Sequence, residues 1–163
     1  MAAPWRPTRE QLVAARDKTI PDVIGPDLNV LCVGINPSLY SAAVGHHFAR
    51  PGNRFWKTLH QSGFTPELVS PFDDESLPVF GVGITNIVRR ATAAADELTH
   101  EELRTGARSL NRKVCRYAPQ YVAVLGVTAF RAAFGQRSAA IAQQPDDLCG
   151  SGVWVLPNPS GRT

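Results

Sequence analysis

Leu28-Asn29-Val30-Leu31-Cys32-Val33-Gly34-Ile35 leads straight into Asn36-Pro37, and this stretch decides the fold. The run is apolar almost without interruption and lacks the alternation of a strand with one wet face. Such a run suits a strand buried on both faces of a parallel sheet. Three others resemble it: Val79-Phe80-Gly81-Val82-Gly83-Ile84, Tyr121-Val122-Ala123-Val124-Leu125-Gly126 and Val153-Trp154-Val155-Leu156. Helical patterns alternate with them. Asn53 to Ser62 carries apolar residues at helical spacing. His100 to Tyr117 follows Thr99 as N-cap, with Glu102 completing a capping box. Thr128 to Phe134 begins a further helix that Gly135 ends, and 137–152 reads as a helix remnant and loop. Strand–helix alternation predicts an α/β fold, a three-layer α/β/α sandwich around a short, mostly parallel central sheet.

Upstream, residues 1–26 read as an N-terminal extension with one short helix, Thr8 to Lys18, in which Thr8 and Gln11 form a capping box. Residues 27–163 read as one domain, a size ordinary for a single core. With 44% hydrophobic residues the core needs no metal or disulfide staple. Net charge is +3, carried mainly by Arg, a mild bias compatible with a phosphate-bearing partner. Cys32, Cys115 and Cys149 are far apart and form no CxxC pair, which argues against zinc and iron–sulfur sites. The odd count, without a signal peptide, argues for a reducing cytosol. No apolar run approaches the ~20 residues that span a bilayer, so no membrane partner is expected.

In parallel α/β sheets, ligands bind beyond the carboxyl ends of the strands. The loops to inspect are therefore 36–53, 85–96 and 158–163. The first holds Gly34-Ile35-Asn36-Pro37-Ser38, then Gly45-His46-His47-Phe48, then Arg50-Pro51-Gly52-Asn53-Arg54-Phe55-Trp56-Lys57. Taken alone, Gly-x-Asn-Pro is also ordinary turn chemistry, since Asn starts turns and Pro fixes φ. A second Asn-Pro turn follows the last strand, in Pro157-Asn158-Pro159-Ser160-Gly161-Arg162-Thr163. Two such turns after two parallel strands can face each other across one crevice.

These motifs, with Ser62-Gly63-Phe64-Thr65 and Gly83-Ile84-Thr85-Asn86-Ile87-Val88, resemble the mismatch-specific uracil/thymine-DNA glycosylases over residues 28–163. The resemblance implies the uracil-DNA glycosylase fold and hydrolysis of uracil, or thymine and other damaged bases, from mismatched duplex DNA. It implies a monofunctional enzyme that needs no cofactor and acts as a monomer near the nucleoid. Asn36 matches the family residue that positions the attacking water. Phe48 matches the stacking aromatic, Ser41 and His47 match positions near the base edge, the backbone near Ile35 is placed to meet the base oxygens, and Ser38 joins the same base pocket. Ser38 stands where the family usually has Gly. Asn158, Pro159, Ser160, Gly161 and Arg162 match the loop that wedges into the duplex. The family's wedge residue is apolar in its bacterial members, and Arg162 reads equally as an intercalator or as a phosphate contact. Family members continue past this point with basic residues and a closing helix, so the resemblance implies a longer C-terminal end.

A neutral amide positions water but takes no proton. Asp96, in a loop that leaves the active end of the sheet, is the candidate carboxylate to supply that base; with Glu97 it also reads as simply leading into the next helix, favoured by its dipole. Arg50, Arg54, Lys57, Arg89 and Arg90 flank the mouth as phosphate contacts, or as ordinary solvated charge. Two rival functions remain. Gly81-x-Gly83-x-x-Asn86 after a strand is an incomplete dinucleotide fingerprint. A non-catalytic nucleic-acid-binding domain would need more aromatics interleaved with basic residues than the Tyr40–Phe48 region offers.

Overall fold

The computed structural model describes residues 5–160. Five strands, β1 (Val30–Gly34), β2 (Val82–Asn86), β3 (Tyr121–Leu125), β4 (Ala142–Gln143) and β5 (Gly152–Leu156), form one sheet in the order β2-β1-β3-β5-β4. Every pairing is parallel except the short β4 against β5. The helices are α1 (Arg9–Ala14), α2 (Leu39–Val44), α3 (Phe55–Gln61), α4 (His100–Tyr117) and α5 (Val127–Phe134). The expected α/β/α sandwich is observed.

The apolar run of β1 is explained by its two faces. Leu31 and Val33 point into a core shared with Leu103, Leu110 and Val114 of α4 and Phe130 of α5. Val30 and Cys32 point the other way, onto Phe55, Trp56 and Leu59 of α3 and onto Leu77. Each successive residue therefore enters a different dry layer, and no position is left for a polar side chain. Burial also holds the Cys32 thiol up at about 12, so it is a packed hydrophobe rather than a nucleophile.

Helix signals hold closely. Thr99 and Glu102 close a capping box on α4, which runs from His100 to Tyr117 as its pattern predicts, and Thr8 and Gln11 do the same for α1. The second strand differs. Val79 and Phe80 close a 3₁₀ segment, Pro71–Phe80, and Val79 is 84% exposed. Pro78 lies inside that segment, and Gly81 ends it in the left-handed region at φ 76°. The strand therefore begins at Val82 and runs on to Asn86, level with Gly34 of β1.

The segment read as an extension is built into the same body. Val23 bridges to Ile84, Ala15 is fully buried against Ala42 and Ala91, and Ile20 is buried. Lys113 of α4 donates to the Asp22 carboxylate and to the Thr85 hydroxyl, which itself donates to Asp22. The cysteine reading needs correction. Cys115, in the last turn of α4, and Cys149, in the turn before β5, form a disulfide with Cα atoms 5.3 Å apart. Their separation of 34 residues in sequence hid a pairing that only the fold creates. Among the described residues no cluster of His, Cys, Asp or Glu could hold a metal ion, and no helix is long and apolar enough to cross a membrane.

Candidate active site

A cleft of about 780 Å³ opens at the carboxyl ends of the strands. The chain passes from β1 to β2 on one side and then to β3 on the other, so this is the sheet's topological switch point. The 35–41 turn, the 47–53 loop, Asn86, the 92–96 segment and Asn158 and Ser160 wall the cleft, with Leu12 and Ile20 closing it from the N-terminal side. The two Asn-Pro turns do share one crevice.

Asn36 sits two residues beyond β1, partly buried. Its Nδ2 donates to the Arg90 carbonyl at 2.9 Å and to Thr92 Oγ1 at 2.8 Å. Both amide hydrogens are thereby used, which leaves Oδ1 as an acceptor for water. What read as an open loop after it contains α2. Ser38 is the N-cap of that helix, accepting from the Ser41 amide, and its hydroxyl lies 3.1 Å from Ser41 Oγ. Ser41 is buried and accepts from the Ala49 amide. These two hydroxyls wall the cleft while holding the loop that carries Phe48.

That loop is clamped from a second side. Asp74, only 2% exposed, accepts from the His47 amide and meets His46 Nδ1 at 3.1 Å. The Nε2–H of His47 is directed at the Pro21 carbonyl, 2.8 Å away. Phe48 takes a left-handed backbone at φ 52°, costly for a bulky residue, and its ring stacks on Phe55 with centroids 4.2 Å apart. The ring tip then lies over Gly34. A Cβ there would stand 3.3 Å from Phe48 and 2.5 Å from Asn86 Oδ1. Glycine at 34 is what lets the aromatic ring and the Asn86 amide converge.

The remaining expected residues distribute unevenly. Ile35 lines the cleft, and its carbonyl accepts from the Val88 amide. Asp96 reaches the mouth from a 3₁₀ turn, Ala95–Glu97, and is exposed. Arg50 lines the cleft, and Arg50, Arg54, Lys57 and Arg89 are all exposed. Arg90 is not available in the same way: Nε and Nη2 grip Glu102 at 2.6 and 3.2 Å and Nη1 reaches Asp17 at 3.0 Å. Asn158 Oδ1 accepts from the Ser160 amide in a tight turn, and the Pro159 carbonyl accepts from the Arg54 amide at the start of α3. Gly161 and Arg162 lie outside the described residues.

A model of the uracil DNA glycosylase superfamily matches residues 21–163. The chain belongs to that superfamily. Its activity class is accordingly that of a DNA glycosylase acting on uracil, a hydrolase whose partner is DNA. The superfamily match begins ahead of β1, in keeping with the packing of 20–24 onto the sheet.

Sequence reasoning missed Asn86 and Thr92. Ending the second strand at Ile84 left Asn86 in a loop, whereas the true register sets it beside Gly34. Thr92 carries no motif at all; only the return of the 87–92 segment across the mouth reveals it.

The site's ionisation makes stability depend on pH. Burial lowers the His47 pKa below 6.5, outweighing the Pro21 hydrogen bond and the nearby Asp74 charge, so the folded protein holds a neutral ring. The unfolded chain binds that proton more readily. His47's contribution is thus complete above about pH 6.5 and is lost as the pH falls below it. Glu102 is held at about 2, chiefly by its hydrogen bond from Arg90, and contributes stability above about 4.5 that disappears towards 2. Thermal melts should fall in two stages on acidification, and His47→Gln should flatten the upper stage alone.

Proposed function

We propose that this protein flips uracil, and thymine or other damaged bases that fit, out of mismatched duplex DNA and hydrolyses the N-glycosidic bond, leaving an abasic site. The target C1′ is hidden in the base stack, so the nucleotide must leave the helix before water can reach it. The observation that carries the reading is the convergence of the Asn36 amide, the Phe48 ring and the Asn86 amide in one cleft.

In this scheme Phe48 receives the π-face of the extruded base. Asn86 offers both a donor and an acceptor to its edge, a pattern that suits the N3–H and O4 of uracil. Ile35, Ser38, Ser41 and His47 shape the wall that decides which bases fit. As the C1′–N1 bond breaks, its electron pair leaves with the base and the sugar becomes oxocarbenium-like. Water held on Asn36 Oδ1 adds to C1′, and its proton passes to solvent or to the Asp96 carboxylate. Asn158, Pro159, Ser160, Gly161 and Arg162 fill the gap left in the duplex. No cofactor takes part, and the protein works as a monomer.

The phosphate contacts in this proposal are Arg50, Arg54, Lys57 and Arg89. Arg90 is left out because two carboxylates already occupy it. Arg89→Ala should reduce the slope of log affinity against log salt by ~0.9, the release of one counterion, whereas Arg90→Ala should lower the melting temperature with little change in slope. Equal slopes for Arg89→Ala and wild type would remove it from the contact set.

A panel of duplexes carrying uracil, thymine and other modified bases opposite each normal base, beside single strands, tests the function through the abasic product. Uracil opposite guanine should be cut; absence of product from every substrate would leave a binding domain. Within the panel, Asp96→Asn should slow single-turnover excision. An unchanged rate would return Asp96 to the role of a residue leading into α4.

A further inference from the structure

We infer that Thr92 is a positioning residue for the reaction: its hydroxyl fixes which way the Asn36 amide faces. The inference rests on the glycosylase reading above and concerns the same cleft. An asparagine amide has two nearly isosteric ends, and only the oxygen can accept a hydrogen bond from water. Rotating the amide by half a turn would present Nδ2 to the cleft, and the water would lose its acceptor. Something must therefore distinguish the two ends.

Thr92 does so through a directional chain. It is 2% exposed, and its Oγ1 donates to the Ala94 carbonyl at 2.7 Å. A hydroxyl has one hydrogen, so towards Asn36, 2.8 Å away, Oγ1 presents only a lone pair. The second acceptor is the Arg90 carbonyl. A flipped amide would set Oδ1 against two acceptors, leaving both unsatisfied in a partly buried site, a costly arrangement. Thr92 itself is held rigidly. Its amide donates to the Pro37 carbonyl, and it bridges to Ser38. The same short bridge thus aligns the turn carrying Asn36 with the segment that orients it.

The test is a double-mutant cycle in the full chain. Thr92→Val keeps the volume and removes the acceptor; Thr92→Ser keeps the hydroxyl. Single-turnover excision is measured on a uracil duplex, and affinity on the same duplex carrying 2′-fluorodeoxyuridine, which resists cleavage. Thr92→Val should lower the excision rate about tenfold, the worth of one hydrogen bond in a partly buried network, with affinity unchanged. Thr92→Ser should recover most of the rate. In an Asn36→Ala background Thr92→Val should cost nothing further, because the group it orients is gone. A Thr92→Val loss of the same size in both backgrounds, or a Thr92→Ser variant as slow as Thr92→Val, overturns the inference. If Thr92→Val melts below the assay temperature, Thr92→Ala and Thr92→Ser form the cycle instead. Failure of the underlying reading looks different: wild type makes no abasic product, or Asn36→Ala excises as fast as wild type.

Discussion

Asn36→Ala is expected to slow single-turnover uracil excision on the order of 10²-fold while leaving duplex affinity nearly unchanged. The size follows from what the amide can do. It does not take a proton, so its removal forfeits no general base, only the placing of a nucleophile against C1′. Misplacing a reacting atom by about 1 Å costs about this much. Removing the side chain also leaves the Thr92 hydroxyl and the Arg90 carbonyl without their shared donor, but both lie beside the cleft, where water can replace it. The fold should therefore survive, and circular dichroism melts should show it. Asn36→Asp separates positioning from proton transfer. A carboxylate accepts a hydrogen bond from water and can also take its proton, so a rate above wild type would show that the native enzyme is limited by lack of a base. A carboxylate oxygen would, however, face the Thr92 lone pair and the Arg90 carbonyl, and that repulsion would raise its pKa. Gain of rate should accordingly appear only at higher pH.

The sheet was legible from the sequence because its strands are buried on both faces, and double burial writes itself as an apolar run. Helix starts were legible because capping is a local contract between Thr99 and Glu102 or Thr8 and Gln11. What stayed hidden depends on contacts distant in the chain. Val79 and Phe80 look like strand residues, and only Pro78 and the left-handed Gly81 keep them out of it. That shift, three residues at the start of the strand and two at its end, left Asn86 in a loop, whereas it pairs with Gly34. Cys115 and Cys149 meet because α4 and the turn before β5 end together. Arg90 reads as a free cation until Glu102 and Asp17, separated from it by 12 and 73 residues, claim its guanidinium. Of the candidate site, the motif residues Asn36, Phe48 and Asn158, which line one cleft, were visible because their residue types stood out in the loops. The groups that aim them, Asp74 and Thr92, are ordinary in type and acquire meaning only from position.

Phe48→Ala should weaken productive binding of the uracil duplex by roughly five- to 150-fold, the range set by ~1–3 kcal/mol for stacking one base on an aromatic face. The loss belongs in the enzyme concentration needed for half-maximal single-turnover rate, more than in the rate at saturation, because a ring stacked on the base would not touch C1′. Stability will fall as well, since the ring also stacks on Phe55. A drop in activity could then be mistaken for a loosened fold, and the backbone supplies the control. Phe48 holds φ 52°, a conformation glycine adopts freely and alanine does not. Phe48→Gly should therefore melt no lower than Phe48→Ala, with ~1 kcal/mol of backbone strain relieved, yet bind the substrate equally poorly. Phe48→Tyr keeps the π-face and should retain most of the affinity. If Phe48→Gly bound the flipped base as well as wild type, the ring would be core packing against Phe55, and the platform for the base would have to be sought elsewhere in the cleft.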